Sequence, residues 1–350
     1  MSSFKIQLLI HFFFLFFTST IAQSLKDISF GDETTFDVVT WNIEFFPKNN
    51  ANTIDSVAVA MASINADVYA LQEINDVEAL QTLDLKLEDY SVYISPDQYS
   101  NLKLAYMVKN SLNVVDFFPI YSSSSYNSMF AGRPPLLLHL KVNKQDVYLI
   151  NVHFKCCGNG QLDMDDIYDE ENRRWQASNQ IKTYIDSYLP EKSVIVLGDF
   201  NDLLEDSPSN NVFNSILSDT DNYLFVDFPI LSLSSSLWSF PSWPSHLDHI
   251  LITNDLFDQF NASSQSVQSI NMPFYFANGF YGYDSFISDH LPVGVKLNFS
   301  ISSLDSQNTK SLNVKETRDL QGRKVPIKTN ELQILKYENG QVQKQIIIEQ

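Results

Sequence analysis

"VIVLGDFND", residues 194–202, runs four apolar residues and a glycine directly into an acid and an amide two positions apart. The apolar part reads as a core strand. Residues i and i+2 of a strand share a face. Asp199 and Asn201 therefore project together if the strand geometry persists, held by the apolar run behind them.

The same pattern recurs along the chain. "FDVVTWNI" (36–43) has the β-branched and aromatic content of a buried strand and carries Asn42, with Glu44 two positions on. "ADVYALQEI" ends in Glu73, and "DVYLINVHF" delivers Asn151 and His153. "HLDHILIT" is interrupted by Asp248, and "SDHLPV" sets Asp289 and His290 just before the strand "PVGVKLNF". "LKLAYMVKN" and "LLLHLKV" complete the expected strands. One polar residue at a strand end is ordinarily a cap or turn former. Six strand ends, each supplying a carboxylate, amide or imidazole, instead predict a polar cleft at one edge of a packed sheet.

Helical spacing covers two stretches. Residues 53–64 place Ile54, Val57, Met61 and Ile64 on one face, with Thr53 as a candidate cap. Residues 169–188 repeat Trp175, Ile181, Tyr184, Ile185 and Tyr188 at the same spacing. Many strands with helices between only some of them predict an α/β fold: two packed mixed sheets with helices outside. At 350 residues and 44% hydrophobic, the chain is long enough to bury such a core.

Net charge bounds the partners. With 23 Lys+Arg against 42 Asp+Glu the formal charge is −19. That disfavours tight non-specific binding to nucleic acid or anionic lipid, but not turnover of a polyanion, because a bound cation supplies local positive charge. Lys5 precedes the apolar run "LLIHFFFLFF", and "TIA" follows. This predicts a signal peptide (1–22) cleaved near Ala22, and a secreted or cell-surface protein. The alternative is an uncleaved anchor, for which the run is short. No other stretch is long and apolar enough to span a bilayer.

The texture changes after Phe299. "SISSLDSQNTK" is polar, so 301–310 reads as a linker after a main domain spanning 23–300. From Lys310 onward there are 8 Lys+Arg and 5 Asp+Glu, a net of +3 that leaves −22 on the preceding residues. Residues 311–350 are therefore expected to be a separate small module of short strands turning at Gly322 and Asn339–Gly340.

The ordered stretches "WNIE", "LQE", "NVHF", "GDFN", "LDHI" and "SDHLPV" resemble the endonuclease/exonuclease/phosphatase superfamily over roughly residues 35–300. The resemblance implies the deoxyribonuclease-I-like fold, a four-layered sandwich with the site at one end of two packed sheets. It also implies cleavage of phosphate esters, chemistry that needs a cation on a phosphate oxygen and an oriented water. By resemblance Glu73 is the main Mg²⁺ ligand, with Asn42, Glu44 and Asp289 in or near its shell; Mn²⁺ suits the same hard oxygens. Asp199 would orient or deprotonate the water, Asn201 would donate to a phosphoryl oxygen, and His153 and His290 are the imidazoles of the site. Asp248 would accept from His290 and fix its tautomer. Arg133 in "AGRPPLLLHL" and Asn151 are candidate substrate contacts.

The resemblance departs at one place. Deoxyribonucleases of this kind often pair an acid with the histidine equivalent to His153, and here the nearest candidate is Lys103. His249 should face away from Asp248, and His139 and His246 read as structural. Cys156 and Cys157 read either as two thiols in a loop or as a strained vicinal disulfide. The expected function is a secreted Mg²⁺-dependent endonuclease acting on nucleic acid as a monomer. Alternatives are a phosphatase or phosphodiesterase for lipid or sugar phosphates, or a non-catalytic binding module. Residues 311–350 more weakly resemble a C-terminal sorting module of the type IX secretion route.

Overall fold

The structure is a computed structural model that describes residues 24–96, 100–263 and 266–299, with the tail strands 314–318, 332–337 and 342–346. The expected signal peptide and linker, and Gly322, lie outside the described residues.

Twelve strands form two sheets. In chain order they are β1 (Phe36–Phe46), β2 (Val68–Ile74), β3 (Tyr90–Ile94), β4 (Lys103–Lys109), β5 (Asn113–Pro119), β6 (Leu136–Val142), β7 (Gln145–His153), β8 (Ser193–Asp199), β9 (Tyr223–Phe225), β10 (Asp248–Thr253), β11 (Val267–Ser269) and β12 (Val293–Leu297). The first sheet has the order β11-β12-β1-β2-β4-β3 and the second β5-β6-β7-β8-β10-β9. Both are mixed: β1 and β2 are parallel, as are β7 and β8, and the other pairs are antiparallel.

Three apolar clusters fill the spaces between four layers. Val38, Ala70, Tyr106, Leu138, Leu149, Leu197 and Ile250 pack between the sheets. The outer face of the first sheet packs on helices α1 (Asn50–Ile64) and α2 (Val77–Lys86) through Trp41, Val57, Met61, Ile64 and Leu80. The outer face of the second packs on α3 (Glu170–Tyr188) through Ile150, Val196, Ile181 and Ile185. Apolar burial on both faces of each sheet explains why β8 reads as a continuous oily run rather than an alternating one.

The expected strands and both expected helices are present. One expectation needs correcting. Thr53 is not the cap of α1 but lies inside it, where its hydroxyl accepts from the Asn49 amide and donates to the Phe286 carbonyl. The tail strands pair antiparallel, 314–318 with 332–337 and 332–337 with 342–346, while the expected turn at Asn339–Gly340 lies outside the described residues. Among the described residues no helix is long and apolar enough to cross a membrane.

Candidate active site

Gly198 settles why β8 ends as it does. A Cβ there would stand 1.9 Å from the Val152 carbonyl oxygen. Only a glycine lets β8 lie against β7 at this point, and the register then pairs His153 with Asp199. The two side chains reach the same space, His153 Nε2 lying 3.5 Å from Asp199 Oδ2.

The first sheet meets them through an amide. Asn42, buried on β1, donates through Nδ2 to Asp199 Oδ2 at 3.0 Å and to Glu73 Oε1 at 3.2 Å. Glu73 Oε2 in turn accepts from the Phe45 amide at 3.1 Å, and Asn42 Oδ1 accepts from the Glu44 amide at 3.1 Å. Glu44 Oε2 accepts from the Asp289 amide at 2.9 Å and pairs with Lys48. Glu44, Glu73 and Asn201 all have left-handed backbones, with φ of 30°, 62° and 54°. Such conformations cost a non-glycine residue energy and cluster at functional sites.

Alternation along a strand does not deliver Asn201, because β8 stops at Asp199. The chain turns instead: the Asn201 amide donates to Asp199 Oδ1 at 3.0 Å and its side-chain Nδ2 to the Phe154 carbonyl at 3.3 Å.

His290 and Asp248 form a buried pair, with Nδ1 2.7 Å from Oδ2. The His290 backbone is pinned on both sides. Its amide donates to Ser288 Oγ, which donates to the Asn42 carbonyl, and its own carbonyl accepts from Tyr283. Nε2 is left facing Asp199 Oδ2 at 3.9 Å and Asp289 Oδ1 at 4.0 Å. Phe240 covers the ring, the centroids 4.8 Å apart.

Burial and charge set the protonation states. Burial lifts the Asp199 carboxyl to about 7, with Asp248 and Glu73 adding to the rise and His290 and the Asn42 amide opposing it. Burial alone would depress His290, yet Asp248 and Asp199 carry it up to about 10. His153 is held well below the ordinary value by burial, then by Arg133 and His290, and is neutral. Burial raises Glu44 and Asp289 as well.

A solvent-open pocket of about 380 Å³ gathers Glu44, Glu73, His153, Asp199, Asn201, Asp289 and His290, with Phe45, Phe240 and Trp243 on its walls. Among the described residues no lysine or arginine lines it. Four carboxylates facing a single lining imidazolium, His290, with three of them pushed toward the protonated state, fit a hard divalent cation bound by oxygen. Asp199, Asp248 and His290 also lie close enough together to ligate. There the His290–Asp248 bond already occupies the ring nitrogen, so Glu73, Glu44 and Asp289 are the better donors.

Two expected substrate contacts sit elsewhere. Arg133 is buried behind the pocket, where Nε and Nη2 donate to the His153 and Phe154 carbonyls at 3.0 and 2.6 Å. Asn151 is fully buried between the sheets; Nδ2 donates to the Leu71 and Ala105 carbonyls and Oδ1 accepts from Gln72. Both hold the frame, Arg133 orienting the chain on either side of His153. Lys103 opens β4, and His153 Nδ1 is buried without a hydrogen-bond partner among the described residues, none of which takes the place of the acid expected from the resemblance to deoxyribonucleases.

Arg174 and Asp227 escaped the sequence reading. Arg174 of α3 donates to Asp202 Oδ2 at 2.7 Å and to the Lys155 and Cys157 carbonyls at 2.8 Å, tying two loops of the site together. Asp227 accepts from His246 Nε2 at 3.0 Å and from His249 Nδ1 at 2.6 Å. His249 Nε2 faces the Asp202 carbonyl at 3.0 Å, so both ring nitrogens meet acceptors and the ring must be an imidazolium. Asp227 holds it above its ordinary value against the opposing effect of burial. His249 does face away from Asp248, as alternation requires, and His246 and His139 are bonded to Asp227 and Asp146. Asp227 was legible in principle, because it ends the apolar run "LFV" as the other site acids do.

Fold and site together define a metal-assisted phosphoester hydrolase. The chain belongs to the Endonuclease/Exonuclease/phosphatase family, whose profile matches residues 39–290. No curated protein matches the chain. Among solved structures it is similar to D. rerio TDP2 complexed with single-strand DNA product, at 17% identity and a TM-score of 0.56 over 76% of this chain and 100% of that one. A truncated Caenorhabditis elegans TDP2 gives 16% and 0.52 over 75% and 97%. An endonuclease/exonuclease/phosphatase from Bacteroides vulgatus gives 14% and 0.52 over 76% and 99%. At these identities the likeness shows the fold alone.

Proposed function

We propose that the protein is a secreted Mg²⁺-dependent endonuclease that hydrolyses nucleic acid phosphodiesters by in-line attack of water. The observation that carries this reading is the Asn42 amide, which binds Glu73 and Asp199 at once and so fixes the cation-binding acid beside the water-activating acid. Glu73, with Glu44 and Asp289, would hold Mg²⁺. The ion would supply Lewis-acid polarisation of the phosphoryl oxygen.

The rest is done by side chains of this chain. Ionised Asp199 accepts a proton from the water. Protonated His290, oriented through Nδ1 by Asp248, donates from Nε2 to the charge that develops on the phosphoryl group. Neutral His153 lies beside both acids without adding a charge. The wall residues Phe45 and Trp243 are 56% and 78% exposed, faces on which an unpaired base can stack. The D. rerio TDP2 structure, with its single-strand DNA product, shows such a strand on the same fold.

A second reading, a phosphoesterase for lipid or sugar phosphates, is favoured by the absence of lysine and arginine from the pocket lining. A panel of plasmid DNA, single-stranded DNA, RNA, sphingomyelin and inositol phosphates, run with Mg²⁺ and with chelator, separates the two. Cleavage of nucleic acid alone supports the endonuclease; release of phosphate or phosphocholine without strand cleavage overturns it. Glu73→Gln should cost at least about a hundredfold in rate, the scale of several kcal/mol expected when a Lewis acid is lost. The residue 1–22 signal and the sorting-like 311–350 module support export to the medium or cell surface, which fractionation of the native host tests.

A further inference from the structure

We propose that Cys156 and Cys157 form a two-sulfur modification site on the wall of the catalytic pocket, one that captures a single arsenoxide-class thiophile through both sulfurs and shuts the pocket. The argument begins with geometry. Neighbouring side chains in a strand point to opposite faces. Here β7 ends at His153, Cys157 turns left-handed at φ +72° and Gly158 follows at φ +111°. The turn brings both sulfurs to one side, 2.9 Å apart.

The loop behind them is fixed. Arg174, buried on α3, donates to the Lys155 and Cys157 carbonyls. A Cβ on Gly158 would stand 2.4 Å from the Glu171 carboxylate, and Glu171 accepts from the Gly160 amide. The backbone is stapled to the helix while both thiols stay exposed and line the pocket that holds Glu73, His153 and Asp199. The Cys157 thiol donates to Cys156, and that bond holds its pKa above the ordinary value.

A direct sulfur–sulfur bond between neighbours is strained. One atom accepting both sulfurs closes a larger ring and avoids that strain. With an organic arsenoxide the balance is R–As=O plus two R′–SH giving R–As(S–R′)₂ plus water. Two As–S bonds form, the As=O oxygen leaves as water with both thiol protons, and arsenic stays trivalent.

The chain has only two cysteines, so stoichiometry is unambiguous. The probe is phenylarsine oxide added to purified protein with Mg²⁺. Intact mass spectrometry should show one phenylarsenic group per chain. It should be released by 2,3-dimercaptopropanol but retained against 2-mercaptoethanol at the same thiol concentration. Cys156→Ser and Cys157→Ser should each lose the adduct to 2-mercaptoethanol. Release from the unaltered protein by monothiol, or equal retention in the single variants, overturns the two-sulfur site.

The blocking part rests on the phosphoesterase reading. Hydrolysis of the substrate identified by the panel should fall at least tenfold on capture and return with the dithiol. Unchanged hydrolysis by a fully modified protein overturns the blocking. An untreated protein with no hydrolysis on any ester counts against the catalytic reading instead, and the mass measurement still decides the site.

Discussion

The Asn42 side-chain nitrogen lies 3.0 Å from Asp199 Oδ2, so one hydrogen bond joins β1 in the first sheet to the end of β8 in the second. The same nitrogen reaches Glu73 at 3.2 Å. An acid in this place could not donate to both carboxylates and would add a third negative charge between them. Asn42→Asp should therefore lower kcat/KM by about a hundredfold or more, roughly the 3 kcal/mol of a lost transition-state contact. Raising Mg²⁺ should recover part of the loss, and titration of rate against metal for both proteins checks it.

His290 and Asp248 act as one unit if the 2.7 Å bond fixes the ring. Asp248→Asn with His290→Ala should then cost little more than His290→Ala alone. A double-mutant cycle in kcat/KM measures this, and fully additive losses would refute the pairing.

The pH profile follows from two raised groups. Asp199, at about 7, must lose its proton to accept one from water, while His290, at about 10, must keep its own. At limiting metal, activity should rise through about pH 7 and fall through about pH 10, limbs that belong to the coupled pair rather than to either residue. Saturating Mg²⁺ should move the acid limb down, because a cation favours the carboxylate. Both groups bind protons more tightly when folded. Their contribution to stability is present below the unfolded values and is lost as pH rises, for Asp199 between its ordinary value and 7 and for His290 up to 10. Thermal melts of chelated protein should accordingly decline from pH 5 to pH 9.

Arg133 contributes to the frame rather than to the substrate surface. Arg133→Ala leaves the buried His153 and Phe154 carbonyls without their donors, at about 1–3 kcal/mol each. The urea midpoint should fall. The salt dependence of KM on DNA should stay unchanged, because no phosphate contact is removed. A slope reduced by about one would instead place the guanidinium on the backbone of the substrate.

Asp227 balances a buried imidazolium. Asp227→Asn strands the His249 charge in the core and should cost about 3–5 kcal/mol of unfolding free energy. In the unaltered protein, nitrogen NMR should show both His249 nitrogens protonated well above the pH at which a free histidine loses its proton. A neutral ring at pH 7 would contradict this assignment.

How much of this was legible before the structure differs by residue. The core of β8 was plain, because apolar runs that pack on both faces need no partner to be recognised. Asp199, His153, Glu73, Asp248 and His290 stood out as polar groups ending or interrupting such runs; the structure gathers four of them around one pocket and sets Asp248 behind His290. Asn151 carried the same signal and Arg133 stood out in the loop before β6, yet neither reaches that pocket. A polar residue at a strand end gives no sign of which side it faces once the sheets are stacked. Asn201 arrived by a left-handed turn and not by alternation, a difference no spacing rule records.

The sequence by itself determined the local elements, the two-sheet architecture and the identity of the acids and imidazoles, because periodicity and residue chemistry are written along the chain. Only the tertiary structure decided the partners. Asn42 with Asp199 and Arg174 with Asp202 are 157 and 28 residues apart, and His290 with Asp248 are 42 apart. Each contact exists because two stacked sheets and the helix outside them bring distant segments together. Protonation follows from the same cause. The carboxyl of Asp199 is ordinary in the sequence and titrates near 7 only when folding removes its water and sets other acids beside it.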